Sequence, residues 1–117
     1  MIGSLTTVML VVSDMARSVQ FYKERLGLAV KFESPHWSAL DAGTVTLALH
    51  PEGHEIRVGP GWGCTFGFEV ENLEGVFAEL RLSGVVVVTE PHRPQFGGWL
   101  AAIADPDGYP IQLYEPG

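Results

Sequence analysis

Chemistry in this chain would have to come from few residues. There are four histidines, His36, His50, His54 and His92, and one cysteine, Cys64. A divalent transition metal takes imidazole, thiolate or carboxylate donors, commonly three or four together. His36, His54 and His92 fall in or beside loops without metal-motif spacing, so solvated side chains are their ordinary reading. His50 closes one strand-like stretch and Glu69 lies in another. Two such groups are weak evidence for a shifted metal site and could otherwise form a metal-free acid–base pair. No Ser-His-Asp arrangement, phosphate-cradling glycine motif or Cys-His pairing is legible. Cys64 can form no intrachain disulfide, which suits a reducing cytoplasm, and a small buried or half-buried thiol is its simplest reading.

The elements that must position these residues come as a repeat. One copy opens with Thr7-Val8-Met9-Leu10-Val11-Val12-Ser13-Asp14-Met15 and closes on Val45-Thr46-Leu47-Ala48-Leu49. The other opens with Thr65-Phe66-Gly67-Phe68-Glu69-Val70-Glu71-Asn72-Leu73 and closes on Pro110-Ile111-Gln112-Leu113-Tyr114. Asp14 and Asn72 are helix-capping residues, and the apolar spacing after them predicts helices near 14–26 and 72–83, ended by Gly27 and Gly84. Strands are expected at Thr6–Val12, buried on both faces, and at Leu28–Glu33, Trp37–Ala42 and Val45–His50. In the second copy they are expected from Cys64, at Val85–Val88, Trp99–Ala104 and Ile111–Tyr114, with a loop from Glu90 to Gly98. Modules of about 1–52 and 64–117 are thus joined by the Gly/Pro-rich linker Pro51–Gly63 in one domain. A half of this size buries too little apolar surface alone, so the halves are expected to share sheets.

Composition narrows the function classes. The 117 residues are 46% hydrophobic and 18% charged, as in an ordinary globular chain. No apolar run approaches the ~20 residues of a membrane span, and Met1-Ile2-Gly3-Ser4 lacks the basic region of a signal peptide. The net charge of −7 is lopsided. Residues 1–60 hold six acids against five bases, whereas 61–117 hold eight acids against Arg81 and Arg93. That disfavours nucleic acid, whose affinity comes from basic contacts to phosphate, and mildly favours a cationic ligand.

The two βαβββ copies, together with Phe21-Tyr22, Leu26-Gly27 and above all Asp105-Pro106-Asp107-Gly108-Tyr109 before Ile111-Gln112-Leu113, resemble the vicinal oxygen chelate superfamily. That group contains glyoxalase I, extradiol dioxygenases and bleomycin-resistance proteins. The resemblance covers almost the whole chain and implies an α+β fold. Its two modules would form curled mixed sheets around a cup-shaped cavity, with helices outside, and would often pair across a homodimer. Metal-using members place His or Glu at four cup-facing strand positions. Alignment on Asp14, Asn72 and the Asp-Pro-Asp-Gly turn puts these at Thr7, Ala48, Thr65 and Gln112. Two hydroxyls, a methyl and an amide do not make a transition-metal site, so no metal, cofactor or catalytic residue is expected.

Strand parity then assigns Thr7, Met9, Val11, Thr46, Ala48, His50, Thr65, Gly67, Glu69, Gln112 and Tyr114 to the cup. The opposite parity is uniformly apolar and belongs under the helices. A mixed face of apolar walls with a few polar groups is how a ligand pocket differs from a core. Three tryptophans, Trp37, Trp62 and Trp99, are candidate stacking surfaces, with Phe96 beside the last. Trp62, between Gly61 and Gly63, is hardest to explain as core. Resistance-type members bind planar antibiotics between aromatic residues. The expected function is therefore non-catalytic binding or sequestering of a small, planar or cationic, antibiotic-like molecule. Thr7, Met9, Trp37, His50, Trp62, Thr65, Glu69, Phe96, Trp99, Gln112 and Tyr114 would contact it, in a cytoplasmic homodimer. Two alternatives stand beside it. One is a lyase, isomerase or dioxygenase-like enzyme with a displaced metal site or a His50/Glu69 pair. The other is a partner-binding module with a vestigial cup.

Overall fold

The computed structural model describes residues 3–53, 58, 66–95 and 97–117. The chain divides into two compact units, Met1–Val58 and Gly59–Gly117. The first unit runs β1 (Thr7–Val12), α1 (Met15–Gln20), β2 (Ala29–Glu33), β3 (Ser38–Ala42) and β4 (Val45–Pro51). The second runs β5 (Phe66–Glu69), α2 (Leu73–Leu82), β6 (Val86–His92), β7 (Trp99–Ala104) and β8 (Pro110–Glu115). Both are βαβββ, as the repeat predicts.

Each unit makes its own four-stranded mixed sheet, in the order β1-β4-β3-β2 or β5-β8-β7-β6. No described strand of one unit pairs with a strand of the other, which corrects the expectation of shared sheets. The closing strand of each unit instead pairs parallel with the opening strand, β4 with β1 and β8 with β5. A parallel pair needs a long crossover, and the helix and two intervening strands supply it.

The helices begin where the sequence caps them. The Asp14 carboxylate accepts from the Arg17 backbone N–H at 3.0 Å, and the Asn72 side chain accepts from that of Gly75 at 3.2 Å. Gly27 and Gly84 take positive φ values of 75° and 83°, which suit a helix-ending glycine. After Gln20, however, the first helix widens into a π-helical stretch, Phe21–Arg25, that buries Tyr22 completely. One face of each sheet packs apolar residues with the helix of its unit. In the first unit Leu10, Val12, Leu40, Leu47 and Leu49 are buried with Val19 and Tyr22. In the second, Ile103, Ile111 and Leu113 are buried with Leu73, Phe77 and Leu80.

Two further expectations are corrected. β1 is not buried on both faces: Thr7 is exposed and Met9 is 45% exposed, because the helix of the unit covers only the Leu10–Val12 side. The segment expected as a loop from Glu90 continues β6 to His92 and includes Pro91. β6 is an edge strand whose register shifts between Thr89 and His92, so a missing N–H at Pro91 removes no required ladder bond.

Candidate functional site

The face of the first sheet opposite α1 reads as three rows across the strands. Residues paired in register share a face, so the rows follow from the ladders. The first row is Thr7, Thr46, Asp41 and Ala29. The second is Met9, Ala48, Ala39 and Phe32. The third begins Val11 and His50, and the Trp37 ring meets the His50 ring edge-on with centroids 6.3 Å apart. The first row is polar, and Lys31 Nζ donates to Thr46 Oγ1 at 2.8 Å. The middle row is entirely apolar, with Met9 and Phe32 each about half exposed.

Trp37 is held rather than loose. It sits in the turn between β2 and β3, one residue before the strand expected to start with it. The Ser34 hydroxyl accepts from the Trp37 N–H at 3.1 Å and donates to the Trp37 carbonyl at 2.9 Å, and the Ser34 N–H donates to the same carbonyl. Ser38, fully buried, donates its hydroxyl to the Ser34 carbonyl at 3.3 Å. A large ring, 37% exposed on a pinned turn, is a preorganised contact surface. The His50 ring is oriented by its neighbour as well, with Nδ1 2.7 Å from the Pro51 carbonyl.

The matching face of the second sheet is more polar. Its rows are Gly67, Gln112, Ala102 and Thr89, then Glu69, Tyr114, Leu100 and His92. By register, Gly67 corresponds to Met9, Gln112 to Ala48 and Tyr114 to His50. At Gly67 a Cβ would come within 3.1 Å of the Gln112 Cβ and carbonyl oxygen, so a side chain there needs β8 to give by a few tenths of an ångström.

Of the residues expected at a site, Thr7, Met9, Trp37 and His50 therefore come together on the open face of the first sheet. Glu69, Gln112 and Tyr114 come together on that of the second. Trp62, Thr65 and Phe96 lie outside the described residues. Trp99 does not join Gln112 and Tyr114: it pairs with Glu115, one residue out of phase, and so points to the helix side of the sheet. There Arg93 lies over its ring at 4.7 Å. Trp99 also lines a groove of about 550 Å³ with Asn72, Leu73, Phe77, Arg81 and Glu115. Glu115 Oε1 accepts from the Leu73 N–H at 2.8 Å, and Arg81 pairs with Glu90, whose hydrogen bond raises the guanidinium above its ordinary range. Parity alone also misses Phe32, because the bulge between Val30 and Phe32 turns the rest of β2 over.

Donor chemistry tests the metal that the resemblance brings with it. Ala48 offers a methyl beside Met9, Gln112 a neutral amide beside Gly67, and Thr7 a hydroxyl at the polar end of the face. Among the described residues no three His, Cys, Asp or Glu side chains gather closely enough to hold an ion. These positions do not fit a divalent transition metal, which binds imidazole, thiolate and carboxylate.

Known proteins resemble this chain over nearly its whole length. A probable lactoylglutathione lyase of Synechocystis sp. is 30% identical over 123 residues, covering 92% of this chain and 91% of the relative. The antibiotic-binding protein TnmS3 of Streptomyces sp. superposes with a TM-score of 0.82 at 22% identity, over 99% of this chain and 98% of that one. Lactoylglutathione lyase from Agrobacterium tumefaciens superposes with a TM-score of 0.77 at 18% identity, over 96% and 92%. The model of the Glyoxalase/Bleomycin resistance protein/Dioxygenase superfamily matches residues 4–113, and the chain belongs to that superfamily.

Proposed function

We propose that this protein binds a small, planar, antibiotic-like molecule without transforming it. The observation that carries the reading is the open face of the first sheet. Met9 and Trp37 expose large apolar surface on the same face as the His50 ring, beside a polar row, and Phe32 adds more at the far edge of the sheet. Apolar walls with a few fixed polar groups are the usual make-up of a ligand site. The same face lacks the donors that metal-dependent members need, and TnmS3 is a binding protein on the same fold. The acidity of the second half adds that a cationic group on the ligand is tolerated or favoured. Cys64 as sole cysteine fits a cytoplasmic setting.

The test is a tryptophan-fluorescence screen of purified protein against antibiotics and common metabolites. Saturable quenching by a planar ligand that vanishes in Trp37→Ala supports the reading. Quenching that survives the substitution moves the site elsewhere. A second reading, a lyase or isomerase, draws on the Synechocystis relative and on His50 as a base. Stoichiometric zinc, nickel or iron in protein purified without chelators would favour it.

A further inference from the structure

The His50 ring carries information about its ligand. Its Nδ1 is 2.7 Å from the Pro51 carbonyl oxygen. A carbonyl can only accept, so Nδ1 carries the proton and the neutral ring leaves Nε2 as a lone-pair acceptor. Trp37 stands edge-on against the same ring, so two contacts fix its orientation. No described residue donates to Nε2. The neighbours of His50 on this face are Val11, Ala48 and Trp37, none of which has a polar side-chain group other than the indole N–H. The arrangement is a single oriented acceptor at the rim of an apolar row.

We infer, on the ligand-binding reading of this face, that His50 selects planar ring systems carrying an N–H or O–H donor on their edge. The flat body lies against the exposed side of Met9, with Trp37 as its end wall, and the edge donor meets Nε2. A ligand with only acceptors on that edge places two lone pairs against each other and leaves Nε2 desolvated without a partner, which is the costly half of the discrimination. The charged groups that share the face or flank its His50 end are Asp41, Lys31, Glu52 and His36. Asp41 already accepts from the Gly43 N–H, Lys31 donates to Thr46, and Glu52 accepts from the Val58 N–H.

The probes are indole, which has such a donor, and benzofuran, its near-isostere with a ring oxygen in its place. Both are titrated into the full chain by heteronuclear NMR. Indole is expected to perturb Met9, Trp37 and His50 and to bind about three- to tenfold more tightly than benzofuran, the worth of one net hydrogen bond. His50→Phe keeps a ring beside Trp37 and removes the acceptor. It is expected to bind both probes with equal affinity. In the unmodified protein, nitrogen–proton correlations of the His50 ring are expected to show the Nδ1–H tautomer. Equal binding of the probes by the unmodified protein, a preference that survives in His50→Phe, or an Nε2–H tautomer overturns donor selection and leaves ligand binding at this face standing. Binding of neither probe at the first sheet overturns both.

Discussion

Trp37 and Trp99 show how much one residue of phase decides. Trp99 begins a strand, yet its pairing with Glu115 turns it to the helix side, where Arg93 covers one ring face. Trp37 precedes a strand, and the Ser34 hydroxyl fastens it against His50. Trp37→Ala is expected to weaken binding of a planar aromatic ligand by about 1–3 kcal/mol, the usual worth of an anchoring aromatic. Calorimetric titration checks this, and a melting temperature close to that of the unmodified protein shows that the loss is not unfolding. Alternation along β1, β4 and β8 makes Thr7, Met9, His50, Gln112 and Tyr114 legible in the sequence, because a regular strand preserves parity. Phe32 is not legible. Nothing in Ala29-Val30-Lys31-Phe32-Glu33 marks the bulge that brings Phe32 opposite Ala39. The phase of Trp99 is hidden too, because Gly97 and Gly98, both at positive φ, precede it and break the count.

At the scale of elements, the caps and the last turn carry the repeat. Asp14 and Asn72 each satisfy a first-turn N–H, so Asp14→Ala is expected to lower unfolding free energy by about 0.5–2 kcal/mol. Urea unfolding measures it. The Asp105-Pro106-Asp107-Gly108 turn is tighter still. Asp105 is 4% exposed, and its carboxylate accepts from the backbone N–H groups of Asp107 and Tyr109, both at 2.9 Å. Gly108 sits at φ 87°, where a side chain is strained. Asp105→Ala leaves two N–H groups without their acceptor, and a loss of about 1–3 kcal/mol is expected in the same assay. The motif is thus a device for setting β7 against β8, which explains its weight in the resemblance without giving it any role in chemistry. The helix starts and most strands were readable because capping and β-branching are local signals. The π-helical stretch after Gln20 was not, since the apolar spacing of Tyr22 and Leu26 fits either winding. The continuation of β6 through Pro91 depends on its place at the sheet edge, which is a tertiary fact.

At the scale of the whole molecule, the two units keep one topology and have diverged in the chemistry of their open faces. The first presents Met9, Ala48, Ala39 and Phe32 where the second presents Gly67, Gln112, Ala102 and Thr89. Edge strands β1, β2, β5 and β6 and exposed Leu82, Val86 and Val88 leave surface that a second copy would cover. A homodimer is therefore expected by light scattering at micromolar concentration, and a monomer there would contradict it. The central claim is that the first open sheet face binds a planar molecule through its own side chains and no metal. The most direct test is calorimetric titration of a ligand identified in the fluorescence screen, with and without chelator, against the unmodified protein and Trp37→Ala. The account requires saturable binding that chelator leaves unchanged and that Trp37→Ala weakens at least several-fold. Binding that chelator abolishes, or that Trp37→Ala leaves untouched, would contradict it.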